Sequence, residues 1–302
     1  MIAASIIALL LVLPWLVGGY GVYLLSLTGV FSLVAIGLNV LTGLTGQISL
    51  GHAAFFAIGA YGTGLLTQRA GVPMPLALLA ASLLSAAVGA LAALPALRLR
   101  NLYLAIATLG LGTVVQKTLF EWRGLTGGGG GLTLAPPRLF GVAIGNGIGL
   151  YYVVLLLAGV GLWAAGNIVR GRSGRAMRML RESEIAAGTL GIPVARAKVA
   201  AFALSAFYAA VAGGLYGFVV GYVSPEGFGI ALSISFISMI VIGGLGSSGG
   251  PVLGAAFYVL LPELFRGIKD APGLVFGLAL VVVMVALPGG LWGLPARLRG
   301  RG

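Results

Sequence analysis

The sequence predicts an all-α, polytopic transmembrane helical bundle of about ten spans (eight to ten), organised as one domain over residues 1–302. Three observations carry that expectation. The chain is 59% hydrophobic and only 8% charged, where a soluble domain of this size carries roughly a quarter of its residues as charges. The deficit runs along the whole length, at a mean hydropathy of +1.10, so it is not one signal segment on a soluble body. The apolar runs are continuous and lack the alternation of a transmembrane β-barrel, and disorder would require low hydrophobicity.

A helix crosses the hydrocarbon core with about 20 apolar residues. Met1–Val17 has no basic n-region and no Ala-x-Ala cleavage site ahead of a soluble body, so Ile2–Val17 is expected as a first span, not a cleaved signal. Tyr20–Leu41, Ile48–Thr67, Leu76–Leu97 and Leu102–Phe120 follow as long apolar runs. The run Gly127–Gly131 with Ala135-Pro136-Pro137 cannot continue a helix, and it is expected as a flexible external loop. Gly149–Val169 and Val199–Val220 are again long enough, whereas Ile230–Ile242, Val252–Leu264 and Leu274–Leu287 are short enough to be half-helices or re-entrant turns. No period of 20–50 residues marks an internal repeat.

The net charge is +12 and the pI about 10.6. In a soluble protein this would suggest nucleic acid; here the basic residues sit between apolar runs, where orientation in lipid explains them and no nucleic-acid partner is expected. With ten spans, Arg98/Arg100, the stretch Arg170–Lys198 and the tail Arg297, Arg299, Arg301 share one side with both termini. The other side holds Arg69, Arg123, Arg138, Arg266 and Lys269, diluted by Glu226, Glu263 and Asp270. The positive-inside rule then places both termini in the cytoplasm. Trp15, Trp122, Trp163 and Trp292 lie near proposed span ends, as interfacial anchors or in ordinary packing. Among 52 glycines, Gly59 with Gly62 and Gly213/Gly214 with Gly217 suit close helix packing.

Chemistry is mostly excluded. The lysines are Lys117, Lys198 and Lys269, and none follows a glycine, so there is no P-loop. Gly244-x-Gly246-x-x-Gly249 matches a dinucleotide fingerprint only formally, because an apolar run and no βαβ unit precedes it. Cysteine is absent, and one histidine with six scattered acids offers neither a metal site nor a catalytic triad, so no cofactor is expected in this chain. Glu182 and Glu184 sit in the basic loop and not in a span. Intramembrane relay groups reduce to His52, with Lys117 and Glu263 near span ends. Energy for any transport is therefore expected from outside the chain.

Two polar features remain. The first runs from Asn39 to His52 and includes Thr42, Gln47 and Ser49. Such residues at membrane depth need internal partners or water. The segment is either a broken helix lining a path or a short cytoplasmic turn with His52 bonded in the bundle. The second is Arg181–Ile192 within the basic loop, a short helix-forming run with Glu182 and Glu184 at its start, one modest apolar face (Ile185, Ala186, Thr189, Leu190), and a stop at Gly191 and Pro193. It is either a surface-lying helix or a docking lever.

Together these segments resemble the M-type permease subunits of branched-chain amino acid ABC transporters. The matching pieces are Gly37-Leu38-Asn39, Thr42-Gly43 through Tyr61, Arg181 through Ala187, Gly191-Ile192, Lys198 through Ala206, Ala212-Gly213, and Val241 through Ala255. The sister H-type permease departs from this chain at Ile48–His52, which favours the M-type. The compact first span, with little N-terminal extension, departs from the family pattern. The resemblance implies a single permease domain over 1–302 in a bacterial inner membrane, with a cytoplasmic coupling loop at 170–198. It also implies an H-type permease partner, two ABC ATPase subunits that hold ATP and magnesium, an extracytoplasmic solute-binding protein, and membrane lipid around the spans. Arg181, Glu182, Glu184, Ala186, Ala187, Gly188, Gly191 and Ile192 become the expected coupling residues. Asn39, Thr42, Gln47, Ser49 and His52 are the expected path residues. Urea or short amides as substrates, or a standalone secondary carrier, are the alternatives.

Overall fold

The protein, seen in a computed structural model, is described over residues 2–99, 102–139, 142–145 and 147–267, and further on at 277–278, 280–282, 285, 287 and 289–294. The helices in chain order are α1 (Ile2–Leu16), α2 (Gly19–Leu38, running into a π turn at Asn39–Gly43), α3 (His52–Gln68), α4 (Met74–Ala96) and α5 (Leu102–Glu121). They continue as α6 (Arg123–Thr126), α7 (Ile148–Arg170), α8 (Arg172–Glu182), α9 (Glu184–Thr189), α10 (Val194–Val220), α11 (Ile230–Gly243) and α12 (Gly250–Leu264). Five of these, counting α2 through Gly43, are long and apolar enough to cross a membrane: α2, α4, α5, α7 and α10. The shorter apolar helices α1, α3, α11 and α12 complete a polytopic helical bundle. The expected span Leu274–Leu287 lies largely outside the described residues, as do Arg100, Lys269, Asp270 and the tail arginines.

Central position belongs to α10, which packs against α4, α3 and α2. Lipid is as apolar as leucine, so burial alone does not hold such helices together; close packing and polar bonds do. A Cβ on Gly59 would overlap the Ala210 carbonyl, and one on Gly213 would overlap that of Phe56, so α3 and α10 touch backbone to backbone. Gly254 against Met239 and Gly243 against Gly250 do the same for α11 and α12. Where side chains are large they interlock: Phe56 stands 5.2 Å from Tyr216 and 5.3 Å from Phe236, ring centre to ring centre, joining α3, α10 and α11. Ser85 Oγ on α4 donates to the Ala206 carbonyl at 3.1 Å, tying α4 to α10 inside the bundle.

The two ends of the bundle differ in charge. At one end Lys198 Nζ, at the start of α10, donates to the Ala96 carbonyl at the end of α4 (2.9 Å), so Arg98 shares the end that carries Arg170–Lys198. At the opposite end Glu263 accepts a 2.7 Å bond from the Tyr20 hydroxyl and pairs with Arg266 at 3.3 Å. All four tryptophans are exposed.

Several boundaries differ from those the sequence suggests. Helix α3 starts at His52, not Ile48, because the Leu50 amide is held by Thr108 Oγ1 (3.0 Å). Helix α10 starts at Val194, which brings Lys198 inside it. The loop after α6 has more order than a flexible linker. Gly128–Gly130 makes a 3-10 turn with the Gly128 amide on Thr126 Oγ1 at 3.2 Å, and β1 (Leu132–Thr133) pairs antiparallel with β4 (Tyr222–Val223) at the exit of α10. A second two-residue pair joins β2 (Arg138–Leu139) to β3 (Val142–Ala143). Helices α11 and α12 have 14 and 15 residues, about 21 and 22 Å at 1.5 Å per residue, short of the roughly 30 Å hydrocarbon core.

Candidate functional site

The polar segment after α2 is a folded turn at the basic end. Widening from α to π geometry at Asn39–Gly43 frees backbone groups from the regular ladder. Side chains and glycines take them up: Thr45 Oγ1 donates to the Leu41 carbonyl (2.6 Å), Thr42 Oγ1 donates to that of Gln47 (3.0 Å), and the Gly46 amide donates to that of Thr42 (3.1 Å). Gly46 has φ +72°, a left-handed conformation that closes the turn and favours glycine. Asn39 reaches the glycine-rich turn between α11 and α12. Its Nδ2 donates to the Ser247 carbonyl at 2.8 Å and its Oδ1 accepts the Gly246 amide at 2.7 Å.

Asn39, Thr42, Gln47, Ser49 and His52 are all buried in the isolated chain. Both ring nitrogens of His52 have hydroxyl partners, Ser49 Oγ at 2.9 Å and Ser205 Oγ at 2.7 Å. Gln47 is different: neither amide atom has a hydrogen-bond partner.

The basic loop contains two helices. Charge-rich α8 ends at Glu182, and Ser183 then caps α9, its Oγ accepting the Ala186 amide at 3.2 Å. Glu182 therefore closes one helix while Glu184 opens the next, where a carboxylate complements the helix dipole. Gly191, at φ +77°, turns the chain out of α9. Ala187 is buried beneath the helix, Gly188 and Gly191 are exposed, and Ile192 is half-buried. The predicted apolar face points to solvent, with Ile185 72% and Leu190 66% exposed and Ala186 and Thr189 exposed beside them. The described part of the chain therefore leaves this apolar face of the short, capped helix uncovered.

Two contacts tie this loop to the bundle. Arg181 Nη1 donates to the Gly43 carbonyl at 2.6 Å, joining the loop to the polar turn. Lys198 Nζ lies 2.7 Å from Glu184 Oε1, with side-chain exposures of 3% and 28%, and this pair joins α9 to α10 and, through Ala96, to α4. The two features that looked separate in sequence are thus one connected network: α9, Glu184, Lys198, then Arg181, Gly43, the π turn, Asn39 and the Gly246–Ser247 turn. Sequence reasoning missed Lys198 as a member of this network and Ser205 as the partner of His52. Both stand in the matched segment Lys198–Ala206, and the scarcity of lysine was a usable signal for the first.

A profile described as the branched-chain amino acid transport system permease component matches residues 20–288. The chain is 36% identical to the high-affinity branched-chain amino acid transport system permease protein LivM of Salmonella typhimurium over 92% of its own length and 71% of the relative's. It is likewise 36% identical to LivM of Escherichia coli, over 95% and 73% of the two chains. Against the Escherichia coli permease protein LivH identity is 27%, over 89% and 93%. No solved structure matches the chain.

Proposed function

The chain belongs to the family of branched-chain amino acid transport permease components, and from that premise we propose that it is the M-type membrane subunit of an ABC importer. It moves branched-chain amino acids into the cytoplasm with an H-type permease beside it, two ATPase subunits that bind ATP and magnesium beneath it, and a binding protein delivering substrate from outside. The basic end faces the cytoplasm by the positive-inside rule, which sets both chain ends on that side.

The observation that carries this reading is α9. It offers an exposed apolar face to a partner while Glu184 and Arg181 fasten it to Lys198 and Gly43 of the bundle. When ATP draws the ATPase subunits together, displaced α9 helices pull on α10 and α4 through Lys198 and on the π turn through Arg181. The pull reaches the α11–α12 turn through Asn39. Of the expected path residues, Asn39 and Thr42 lie in this π turn, so reorientation alters their surroundings directly, and Gln47, Ser49 and His52 follow it in the chain. Nucleotide drives the cycle because the docking contacts of α9 differ in strength between nucleotide states.

The test is purification of the chain with its neighbours and reconstitution into liposomes. Co-elution with a second permease and two ATPase chains, and leucine uptake that requires ATP and the binding protein, is the expected result. Uptake by this chain alone on an ion gradient would refute the proposal.

A further inference from the structure

Helix α7 leaves the bundle with one side bare. Leu156, Val160, Trp163, Asn167 and Arg170 recur every three or four residues, so they share one face, and all five are exposed. The stripe is apolar up to Trp163 and polar beyond it, as on a helix face that meets lipid tails and then headgroups. Arg170 lies seven residues past Trp163, about 10 Å along the axis. With Trp163 at the edge of the hydrocarbon, Arg170 reaches the level of the phosphates. Helix α8 starts two residues later. Gly174, Met177 and Leu180 are buried against the bundle, and Arg172, Arg175 and Arg178 are exposed on the opposite face. Arg175 Nη1 donates to the Arg170 carbonyl at 3.1 Å, which seats its guanidinium at the end of the α7 stripe. That bond takes one of the five N–H donors of the group. Among the described residues no carboxylate forms an ion pair with Arg170, Arg172, Arg175 or Arg178, and Glu182 is the one acid in the α8 sequence. Orientation of the chain needs these charges on one side of the membrane. It does not need them gathered on one face beside a lipid-facing stripe.

We infer that the end of α7 and the arginine face of α8 dock the phosphates of anionic lipid headgroups. Guanidinium suits phosphate, which it grips with parallel N–H donors, and basic residues clustered where a span meets the membrane surface are drawn to anionic lipid. Continuity with the α7 stripe favours lipid over a protein partner beneath the bundle. Arg170 and Arg175 stand on the side that Leu156, Val160 and Trp163 mark as bilayer. Ser183 ends α8 and caps α9 with no residue between them, so headgroups that hold α8 also fix the base of α9. The inference is independent of the substrate proposed above.

The experiment places the full chain, with the subunits that co-purify with it, in bilayers carrying a trace of spin-labelled phosphatidylglycerol or phosphatidylcholine. The fraction of each label that the protein immobilises gives its preference between the two lipids. Phosphatidylglycerol should be preferred by about fivefold or more, the factor that one arginine at the surface contributes. The preference should shrink in about 1 M salt, where charges are screened within about 3 Å. Arg170→Gln with Arg175→Gln should lower it by about threefold or more. Arg172→Gln with Arg178→Gln, which leaves the Arg175–Arg170 bond in place, should do the same. Arg196→Gln, at an exposed arginine of α10, should leave it unchanged. No preference in the wild type, or one that salt does not reduce, overturns the inference. An equal loss in Arg196→Gln overturns it too, because net charge alone then explains the effect. An unchanged preference in both double variants also overturns it, and loss of a co-purifying subunit from those variants would give the arginine face to an acidic protein partner instead.

Discussion

Lys198→Met keeps the length and apolar stem of the side chain and deletes only its ammonium. In the native chain that ammonium is almost wholly buried, 2.9 Å from the Ala96 carbonyl and 2.7 Å from Glu184 Oε1. Removing one member of a fully buried pair costs about 3–5 kcal/mol. Glu184 has 28% of its side chain exposed and can regain water, so that upper range does not apply. A hydrogen bond to a charged group contributes about 1.5–3 kcal/mol, and a half-exposed ion pair adds at most about 1 kcal/mol. The expected destabilisation is therefore about 2–3 kcal/mol. Glu184→Gln retains a polar group near the ammonium and should cost about 1 kcal/mol. The double variant should then show a coupling energy of about 1 kcal/mol between the two positions. Two assays read the result: thermal unfolding of the transporter in nanodiscs, and ATP hydrolysed per leucine imported in proteoliposomes. Without its tether to α10 and α4, α9 moves partly on its own, and the ATP-to-leucine ratio should at least double. A coupling energy below about 0.3 kcal/mol together with an unchanged ratio would show that the pair carries no load, and the transmission route through Lys198 would be abandoned.

Gly213→Ala should prevent the backbone contact with Phe56 and cost about 2–3 kcal/mol in thermal stability. Gly110→Ala, on an open face of α5, should be neutral or slightly stabilising; equal effects would refute the packing argument. Gln47→Leu removes an amide with no partners, so it should raise or preserve thermal stability while slowing uptake. Normal uptake kinetics would take Gln47 out of the path. His52→Leu orphans the hydroxyls of Ser49 and Ser205 and should cost about 1–3 kcal/mol, measured by the same unfolding assay. Gly191→Pro meets a φ of +77° that proline cannot adopt. That variant and Glu184→Lys should insert normally yet hydrolyse ATP with little uptake, and normal uptake in both would remove α9 from the coupling role.

The helical class was legible because hydrocarbon imposes it: a chain this apolar must satisfy its backbone internally. Close packing at Gly59 and Gly213 was equally legible, since small residues in a span have few other uses. Boundaries set by distant side chains were not. Nothing near Ile48 announces that Thr108 will hold the Leu50 amide and delay α3 to His52. The same holds for the site. Residues 39–52 and 181–192 stood out by polarity and resemblance, but the Arg181–Gly43 bond spans 138 positions and leaves no periodic trace. Lys198 was hidden by its neighbours, since it closes a run of arginines that serve orientation, and only the fold shows that among the described residues it is the buried cation. The β1–β4 pair escaped because two-residue strands have no alternation to detect.

The central place of α10 has a consequence for how the protein is made. Helices α2, α3 and α4 all lean on it, and it leaves the ribosome well after them. His52 waits for Ser205 across 153 positions, roughly 8–30 s at about 5–20 residues per second. During that interval the early helices sit beside the insertion machinery with His52 and Ser85 lacking their α10 partners, and with the glycine surface of α3 uncovered. Arrival of α10 closes these gaps together. Assembly within the membrane is thus a late, concerted event, and truncation of the nascent chain before Val220 should leave a protease-sensitive intermediate retained by insertase or quality-control factors.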